Sequence, residues 1–298
     1  MNIALIIITA LLFPGVVNIA RSRLSGRKGP GLLQPLKDMI RLFRKGSVYS
    51  RTTGLLFRIA PTISLASVLC AALVLPIGSS KALISFEGDF VFFIYLLGLG
   101  RFMAIISALD TGSSFEGMGA SREAHYGMLA EPAFLVLCGS FVLYTGHYSF
   151  NEIFAALRDG TGFSYGIGVM ASFLIFLFSL IETCRVPVDD PRTHLELTMI
   201  HEVMILDNSG FDLGLLHLAN AMKFAVFGTI IADLFLFDMA QAASYAVFVG
   251  IQIAYAVTVA LVESFMARFR MNHNPQFILS LTSLAFLIFV GILLYLDK

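Results

Sequence analysis

Three ionisable residues lie inside stretches of the sequence that are otherwise apolar: Arg101, Glu131 and Lys223. A charge at membrane depth is costly unless it is paired or hydrated, so such residues face a bundle interior or water and often mark ion pathways. The pattern therefore favours a proton or ion path that uses these three residues. Structural ion pairs, or positions nearer the membrane surface, are the alternative. Glu182, Asp233 and Glu263 lie near the ends of apolar stretches and are candidates for the same path. The alternative is that these side chains extend to the membrane interface.

A second candidate region for proton chemistry is the segment 184–212, CRVPVDDPRTHLELTMIHEVMILDNSGFD. Between Glu182 and Asp212 the chain carries seven acidic residues against two arginines. A helix is predicted from Pro191 to about Leu206, capped by one of the two aspartates before the proline. This carboxylate-rich segment favours an entrance for protons beside the membrane, and a solvated hairpin is the alternative.

Motifs for other chemistry are incomplete. The tetrapeptide Asp110-Thr111-Gly112-Ser113 matches aspartic proteases, but those enzymes need two carboxylates and the sequence holds no second copy. His201-Glu202 begins a zinc-protease motif, yet Ile205 stands where the second histidine belongs. No Walker motif and no dinucleotide-binding glycine motif is present. Three scattered cysteines without paired spacing argue against a cluster, zinc site or disulfide framework in this chain: Cys70, Cys138 and Cys184.

The elements that must position these residues are membrane-spanning helices. Hydrophobic residues make up 57% of the 298 residues and charged residues only 13%, which is typical of a polytopic membrane protein. A span needs about 20 mainly apolar residues, and the backbone must satisfy its own hydrogen bonds in lipid, which favours helices. The first span lacks a charged leader and is interpreted as retained. We predict an all-α membrane protein, one domain over 1–298, with eight spans at 2–20, 55–76, 87–109, 125–147, 163–183, 213–236, 241–265 and 276–296.

The orientation follows from the positive charges. Ten of the twenty Lys and Arg residues lie between Arg21 and Arg58, with Asp38 as the one acid among them. Four connections, 21–54, 110–124, 184–212 and 266–275, together hold nearly all the Lys and Arg residues of the loops. Positively charged loops remain on the cytoplasmic side, so we predict that these four are cytoplasmic and that both termini lie outside. The formal net charge is zero, so nothing indicates nucleic-acid binding.

The basic loop 21–54 contains a predicted amphipathic helix. Gly29-Pro30-Gly31 breaks the chain, and apolar residues then recur at helical spacing from Leu36 to Phe43, with charged residues between them. Such a helix is typical of the membrane interface. It is either an anchor on acidic lipid or a platform for a partner protein, with the acid-rich segment 182–212 as a counterpart on the same face.

Three segments together resemble the membrane subunit of respiratory complex I that joins the membrane arm to the peripheral arm. They are GRKGPGLLQPLKDMIRLF, GASREAHYGMLAEP and IETCRVPVDD. The elements Asp-Thr-Gly-Ser and Ser-Arg-Glu-Ala within 110–124 resemble more narrowly the branch found in energy-converting nickel–iron hydrogenases and formate hydrogenlyase. The resemblance covers essentially the whole chain.

The resemblance implies a subunit without a catalytic or redox centre, in a prokaryotic inner membrane. The implied partners are hydrogenase-like large and small subunits, a ferredoxin-like iron–sulfur subunit and antiporter-like membrane subunits, which would carry the iron–sulfur clusters and the nickel–iron site. Together with the buried charges, it implies a proton path through Glu131, Arg101, Lys223, Glu182, Asp189, Glu196, Glu202 and His194. It implies docking of partners at Arg27, Lys28, Gln34, Lys37, Asp38, Arg41, Arg122 and Glu123.

One departure bears on the coupling. The complex I subunit usually carries three alternating acids after the proline motif, and the first two positions here are Arg192 and His194. This agrees with a chain that handles no quinone, although altered coupling is also compatible with it. A quinone-reactive complex I subunit, a stand-alone ion transporter and a pure scaffold stay open as alternatives. The absence of an internal repeat and of paired broken spans argues against the transporter.

Overall fold

The predicted all-α membrane architecture is confirmed in the computed structural model, which describes residues 2–158, 162–190, 199–236 and 240–297. Within these ranges no β-strand forms, apart from an isolated bridge between Ile77 and Ser80. Eight helices have the length and hydropathy to cross a membrane: α1 Asn2–Leu24, α3 Leu55–Leu73, α4 Asp89–Asp110, α5 Ser114–Thr145, α7 Gly162–Glu182, α9 Gly210–Phe235, α10 Gln241–Phe265 and α11 Asn274–Leu296. Three shorter helices are α2 Gln34–Phe43, α6 Phe150–Arg158 and α8 His201–Met204.

Because eight crossings return the chain to its starting side, Asn2 and Leu296 lie at the same end of the bundle. We call this the terminal end, and the opposite end, which carries the loop 25–54, the basic end. α9 is the most enclosed of the eight crossing helices, and it packs against α1, α2, α3, α7 and α10. The basic end is the one that the distribution of positive charge predicts to be cytoplasmic.

A layer of phenylalanines closes the middle of the bundle. Phe134 stacks on Phe178 with ring centroids 4.9 Å apart, and Phe227 meets Phe178 edge-on at 5.6 Å. Phe93 packs against Phe134 at 6.1 Å. These four residues, the aromatic layer, come from α5, α7, α9 and α4 and are almost fully buried. Paired aromatic rings add to the burial energy, so the layer fixes the four helices relative to one another.

The helix predicted in the basic loop forms as α2. Its Met39 is buried, and the helix packs against α1 and α9, whereas Ile40 on the same predicted apolar face is 42% exposed. Thus one side of the apolar face of α2 packs against the bundle, and the other side stays exposed on the surface of the chain. The location of α2 at a membrane interface stays a prediction.

The predicted loop 110–124 was wrong in its extent, because α5 begins at Ser114 and not at 125. The apolar window detects only the part of a helix that suits lipid, and the first eleven residues of α5 include three charged residues, Glu116, Arg122 and Glu123. Asp110 is the last residue of α4, and its Oδ2 accepts the backbone N–H groups of Gly54 at 2.7 Å and Phe57 at 3.1 Å. The carboxylate thereby caps the start of α3, where the first backbone N–H groups have no acceptor within the helix. The sequence did not predict α6 at all.

The helix predicted from 191 to 206 is corrected in its described part. Residues 191–198, with His194 and Glu196, lie outside the described residues. Met199 and Ile200 are not helical, and α8 is a single turn. The physical reason is Asp189, whose Oδ2 accepts the N–H groups of Ile200 at 3.2 Å and His201 at 3.1 Å. These bonds hold the start of α8 against the end of the proline motif.

The basic stretch and the acid-rich segment meet, as expected, although through hydroxyls and backbone. The N–H of Val48 donates to Oγ of Ser209 at 2.9 Å, and this hydroxyl donates back to the carbonyl of Val48 at 3.1 Å. The N–H of Asp212 lies 3.3 Å from Oγ of Ser47. A hydrogen bond from Tyr49 to Asp212 raises the pKa of the tyrosine. The contact joins the loop after α2 to the start of α9.

Candidate functional site

Arg101 lies at the centre of the site, with a side chain only 6% exposed. Its guanidinium meets three carboxylates: Nη1 lies 2.6 Å from Oε1 of Glu131, Nε lies 3.5 Å from Oε1 of Glu123, and Nη2 contacts Oε1 of Glu182. A buried arginine presents five donors in a fixed fork and stays charged. It is therefore suited to hold several acids together in a region from which water is largely excluded.

Glu182 joins Arg101 to a second cation. Its other oxygen, Oε2, lies 3.6 Å from Nζ of Lys223, and the Glu182 side chain is only 2% exposed. We call these five residues the ionic network: Arg101, Glu123, Glu131, Glu182 and Lys223. If all are ionised, two positive charges face three negative ones, so the network holds one charge that the arrangement does not balance. A proton taken up by one carboxylate removes that imbalance, which is the property that a proton relay needs.

The helices of the aromatic layer also carry the ionic network. Phe134 follows Glu131 by three residues, Phe178 precedes Glu182 by four, and Phe227 follows Lys223 by four. Residues at these spacings share a helix face, so the charges lie on the basic-end side of the aromatic layer. The layer separates the network from the terminal end along the axis of these helices.

Gly127 gives Arg101 the space to reach its partners. A Cβ at this glycine would lie 2.5 Å from Nη1 and 2.9 Å from Cδ of Arg101. Because the guanidinium passes directly over the α5 backbone, any larger residue would displace it. Gly127 was not predicted from the sequence. The one sequence feature that points to it is its position one helical turn before Glu131.

The network approaches the basic end through a small cavity that Arg101, Glu123, Asp189 and Ile200 help to line. Its volume of about 10 Å³ is enough for roughly one water molecule. Asp189 is 2% exposed, and Arg268 lies 3.3 Å from its Oδ1. Loss of hydration raises the pKa of Asp189, and the charge of Arg268 opposes that rise. The arrangement extends the ionic network towards the segment predicted to admit protons.

His201 and Cys184 accompany Asp189 at this end. Burial, together with the nearby charge of Lys223, lowers the pKa of His201 to about 4, so the imidazole is neutral near pH 7. Burial also raises the pKa of the Cys184 thiol well above its ordinary value. Neither group carries a charge under ordinary conditions, which leaves the carboxylates and cations to set the local field.

A second ionic contact lies beside the network. Glu263 is paired with Arg185 at 2.7 Å and with Arg21 at 3.2 Å. It ties α10 to the proline motif and to α1. Arg21 belongs to the basic stretch, so part of that stretch is bound inside the chain and is not free for partners. Sequence reasoning had noted Glu263 only as a charge near a span end.

The residues predicted to dock partners divide into two groups. Gln34, Asp38 and Arg41 on α2 form a chain of hydrogen bonds, with Gln34 Nε2 at 2.9 Å and Arg41 Nη1 at 3.2 Å from Oδ1 of Asp38. Arg122 and Glu123 turn inwards: Arg122 donates to the carbonyl of Met199 at 2.9 Å, and Glu123 belongs to the ionic network. The remaining docking candidates are exposed at the basic end: Arg27, Lys28 and Lys37.

The other predicted proton-path residue in the described part is Glu202, which is half-buried on α8. Among the described residues, no three His, Cys, Asp or Glu side chains converge as metal ligands would.

Comparisons with known proteins identify the family. A family model described as NADH dehydrogenase matches residues 1–294. Hydrogenase-4 component C of Escherichia coli (strain K12) is 34% identical over 236 residues, 79% of this chain and 74% of that protein. Formate hydrogenlyase subunit 4 of the same strain is 29% identical over 293 residues, 95% of this chain and 94% of that protein. An NADH-quinone oxidoreductase subunit of Rhodospirillum rubrum is 28% identical over 218 residues, 70% of this chain and 63% of that protein.

A solved structure has the same fold. A chain of the membrane-bound sulfane sulfur reductase, an archaeal respiratory membrane complex, superposes with a TM-score of 0.84 at 20% identity over 98% of both chains. The named relatives are components of hydrogenase, formate hydrogenlyase and NADH-quinone oxidoreductase, which supports a role in a membrane-bound complex. The family model covers nearly the whole chain, and the protein belongs to the NADH dehydrogenase family, as a membrane subunit of the complex I subunit 1 type.

Proposed function

We propose that this chain is the membrane-anchor and proton-path subunit of an energy-converting complex of the hydrogenase or formate hydrogenlyase type. It performs no redox step itself. It couples electron transfer in a peripheral arm to proton translocation across the membrane. The observation that carries the proposal is the ionic network, in which Arg101 holds three carboxylates within helices of membrane length.

The network is suited to move protons. Carboxylates that share an arginine exchange a proton without requiring a large rearrangement, because the cation stabilises whichever acid is ionised. The 44% exposed side chain of Glu131 supplies an open edge, and Asp189 supplies a polar link to the basic end. A structural ion pair needs one acid for one arginine; three acids with an additional lysine exceed that need.

The partners follow from the charge pattern and from the names of the relatives. The exposed side chains of α2 and the loop before it form a basic surface, to which a peripheral hydrogenase-like module binds. The partner subunits carry the iron–sulfur clusters and the nickel–iron site, and antiporter-like subunits flank the chain in the membrane. The basic end lies in the cytoplasm of a prokaryotic cell and both termini lie outside, in agreement with the positive-inside rule.

The test uses the assembled complex in proteoliposomes, in which redox turnover and proton movement are measured together. Glu131→Gln is expected to retain redox turnover and to lose proton movement. Glu87→Gln is the matched control, because Glu87 is exposed in the connection before α4 and belongs neither to the ionic network nor to a cavity wall described here. Proton movement that is unchanged by Glu131→Gln at full turnover would exclude Glu131 from the path. Loss of assembly alone in variants of the network would indicate a pure scaffold.

A specific observation favours a second candidate, a quinone-reactive subunit of the complex I type. A cavity of about 260 Å³ lies between α1, α2 and α9, with Pro14, Met39 and Leu42 as apolar lining and His217 and Arg185 as hydrogen-bond donors. This combination suits a ring with carbonyl oxygens. Redox turnover of the complex with and without an added short-chain quinone decides between the two, since the hydrogenase interpretation expects no response.

A further inference from the structure

A line of buried polar side chains leads from the ionic network past the aromatic layer towards the terminal end. It consists of Ser179 on α7, Tyr255 and Gln252 on α10, and Thr229 and Asp233 on α9, and we call it the polar track. All five side chains are at most 4% exposed. Such groups are costly in the interior of a membrane bundle, so their alignment requires an explanation.

The track begins at the network. Ser179 precedes Glu182 by three residues on α7, so the two side chains share a helix face. The hydroxyl of Tyr255 donates to Oγ of Ser179 at 2.8 Å. One turn along α10 lies Gln252, whose Nε2 donates to Oγ1 of Thr229 at 3.3 Å. The track therefore crosses from α7 to α10 and then to α9 through direct hydrogen bonds.

The track ends at a cavity on the terminal end. Asp233 follows Thr229 by four residues, about 6 Å along α9, and its Oδ1 accepts the N–H of Gly78 at 2.9 Å. Gly78 is part of the wall of a cavity of about 500 Å³. Its other lining side chains are mostly polar or charged and include Ser79, Ser80, Lys81, Asn151 and Arg158.

Several atoms of this line lack protein partners within the described ranges. Oε1 of Gln252 and Oδ2 of Asp233 are buried and accept no hydrogen bond from a described residue, and Oγ of Ser244, beside Gly78, has none either. Buried polar atoms are satisfied by protein or by ordered water in nearly all proteins, and polar internal sites hold such water. Two of these atoms belong to the half of the track nearer the terminal end, and the third lies beside its end at Gly78, so each is a site at which a water molecule can bind.

The polar track also bypasses the barrier in the bundle. Phe178 and Phe227 of the aromatic layer are neighbours in sequence of Ser179 and Gly228. A Cβ at Gly228 would lie 2.3 Å from Oε1 of Gln252, so the absence of a side chain there is what lets the Gln252 amide lie against α9. A line of polar side chains thus passes beside the aromatic layer.

From this geometry we infer that the polar track is a hydrated proton pathway between the ionic network and the terminal end, contained within this one chain. A proton leaves a carboxylate of the network, passes along water and hydroxyl oxygens, and reaches Asp233 and the cavity. Each step breaks one O–H bond and forms another, and nothing is oxidised or reduced. This inference rests on the proposed function for the source of the protons.

The hydration of the track is tested by X-ray radiolytic labelling of the intact complex, which oxidises side chains next to bound water. Tyr255 is expected to be labelled despite its burial, and Phe227 in the aromatic layer is the dry control. Gln252→Leu should lower the labelling of Tyr255 at least threefold, whereas Gln241→Leu at the exposed start of α10 should leave it unchanged. Labelling of Tyr255 as low as that of Phe227 would overturn the inference.

The transport role is tested in proteoliposomes with a matched pair of isosteric variants. Thr229 and Thr258 each donate to the carbonyl four residues earlier, but Thr229 lies on the track and Thr258 is exposed. Thr229→Val is expected to reduce protons moved per turnover at least twofold, and Thr258→Val to leave the ratio unchanged. If Glu131→Gln stops proton movement and Thr229→Val does not, the track is rejected and the proposed function stands. A wild-type complex that moves no protons would refute both.

Discussion

Removal of the Glu182 charge should destabilise the fold far more than removal of the Glu131 charge, although both contact Arg101. The Glu182 side chain is 2% exposed and contacts both cations of the network, Arg101 and Lys223. The Glu131 side chain is 44% exposed and, of these two cations, contacts only Arg101. Loss of one partner from a buried pair costs about 3–5 kcal/mol, because the other charge remains buried. Since Arg101 keeps two carboxylates, we expect about 3 kcal/mol for Glu182→Gln.

The corresponding cost for Glu131→Gln should be smaller, about 1 kcal/mol, because the Glu131 side chain is 44% exposed and Arg101 keeps Glu123 and Glu182 as partners. The glutamine can also still accept a hydrogen bond from Arg101. This small effect makes Glu131→Gln a suitable probe of coupling, whereas Glu182→Gln reports on stability.

The cysteines provide the assay. Cys138 and Cys184 are buried and Cys70 is exposed, so a thiol-reactive fluorescent dye in a Cys70→Ser background reports unfolding of the detergent-solubilised chain. Glu182→Gln should unfold at a clearly lower temperature, and Glu131→Gln and the surface control Glu87→Gln close to the parent. The double variant Glu182→Gln with Lys223→Met should recover at least half of the loss, because no lysine charge is left unpaired. Equal shifts for Glu182→Gln and Glu131→Gln, or no recovery in the double variant, would refute this account of the network.

Three further outcomes are expected. Gly127→Ala places a methyl group against the Arg101 guanidinium and should cost about 1–3 kcal/mol in the dye assay; a variant as stable as the parent would contradict the close approach. Asp110→Ala removes the cap of α3 and should cost about 1–2 kcal/mol, with Asp110→Asn, which keeps an acceptor, retaining most of it. The pKa of His201 is lowered from its ordinary 6.5 to about 4 in the folded chain. When the segment 199–207 unfolds locally, the imidazole regains the higher pKa and binds a proton more readily than it does in the fold. The folded segment should therefore lose stability as the pH falls from 6.5 to 4, by up to about 3 kcal/mol. Hydrogen exchange of residues 199–207, corrected for the chemical rate at each pH, should show this opening, and His201→Gln should flatten it; an unchanged pH profile in that variant would exclude His201 as its origin.

Hydropathy was sufficient to predict all eight crossing helices, since lipid selects apolar composition over a length that the bilayer fixes. The start of α5 escaped this criterion because Ser114 to Ala124 is held by contacts with α8 and not by lipid. The helix after Pro191 was predicted from local start signals, and the described part shows that a distant carboxylate, that of Asp189, organises the chain there instead.

The candidate site was predicted in part. Arg101, Glu131 and Lys223 stood out because charge is rare in apolar stretches. In the structure Arg101 pairs with Glu131, and Glu182 joins Arg101 to Lys223. Glu123 was assigned to docking because nothing in a sequence fixes the rotation of α5 relative to α4. The polar track was invisible for a related reason: Ser, Thr, Tyr and Gln are ordinary residues in a membrane helix until three helices place them in a line.

The early start of α5 gives the chain a mechanical property. Pro132 removes a backbone hydrogen bond from the helix, so the uninterrupted part runs from Ser114 to Glu131, about 26 Å long. Arg122 on this rod is bonded to the carbonyl of Met199, and Glu131 at its far end is bonded to Arg101. A rod of this kind transmits displacement with little bending. A push or twist of the loop at Met199 therefore shifts Glu123 and Glu131 together relative to Arg101, so that motion at the surface is delivered as a change of charge spacing deep in the bundle.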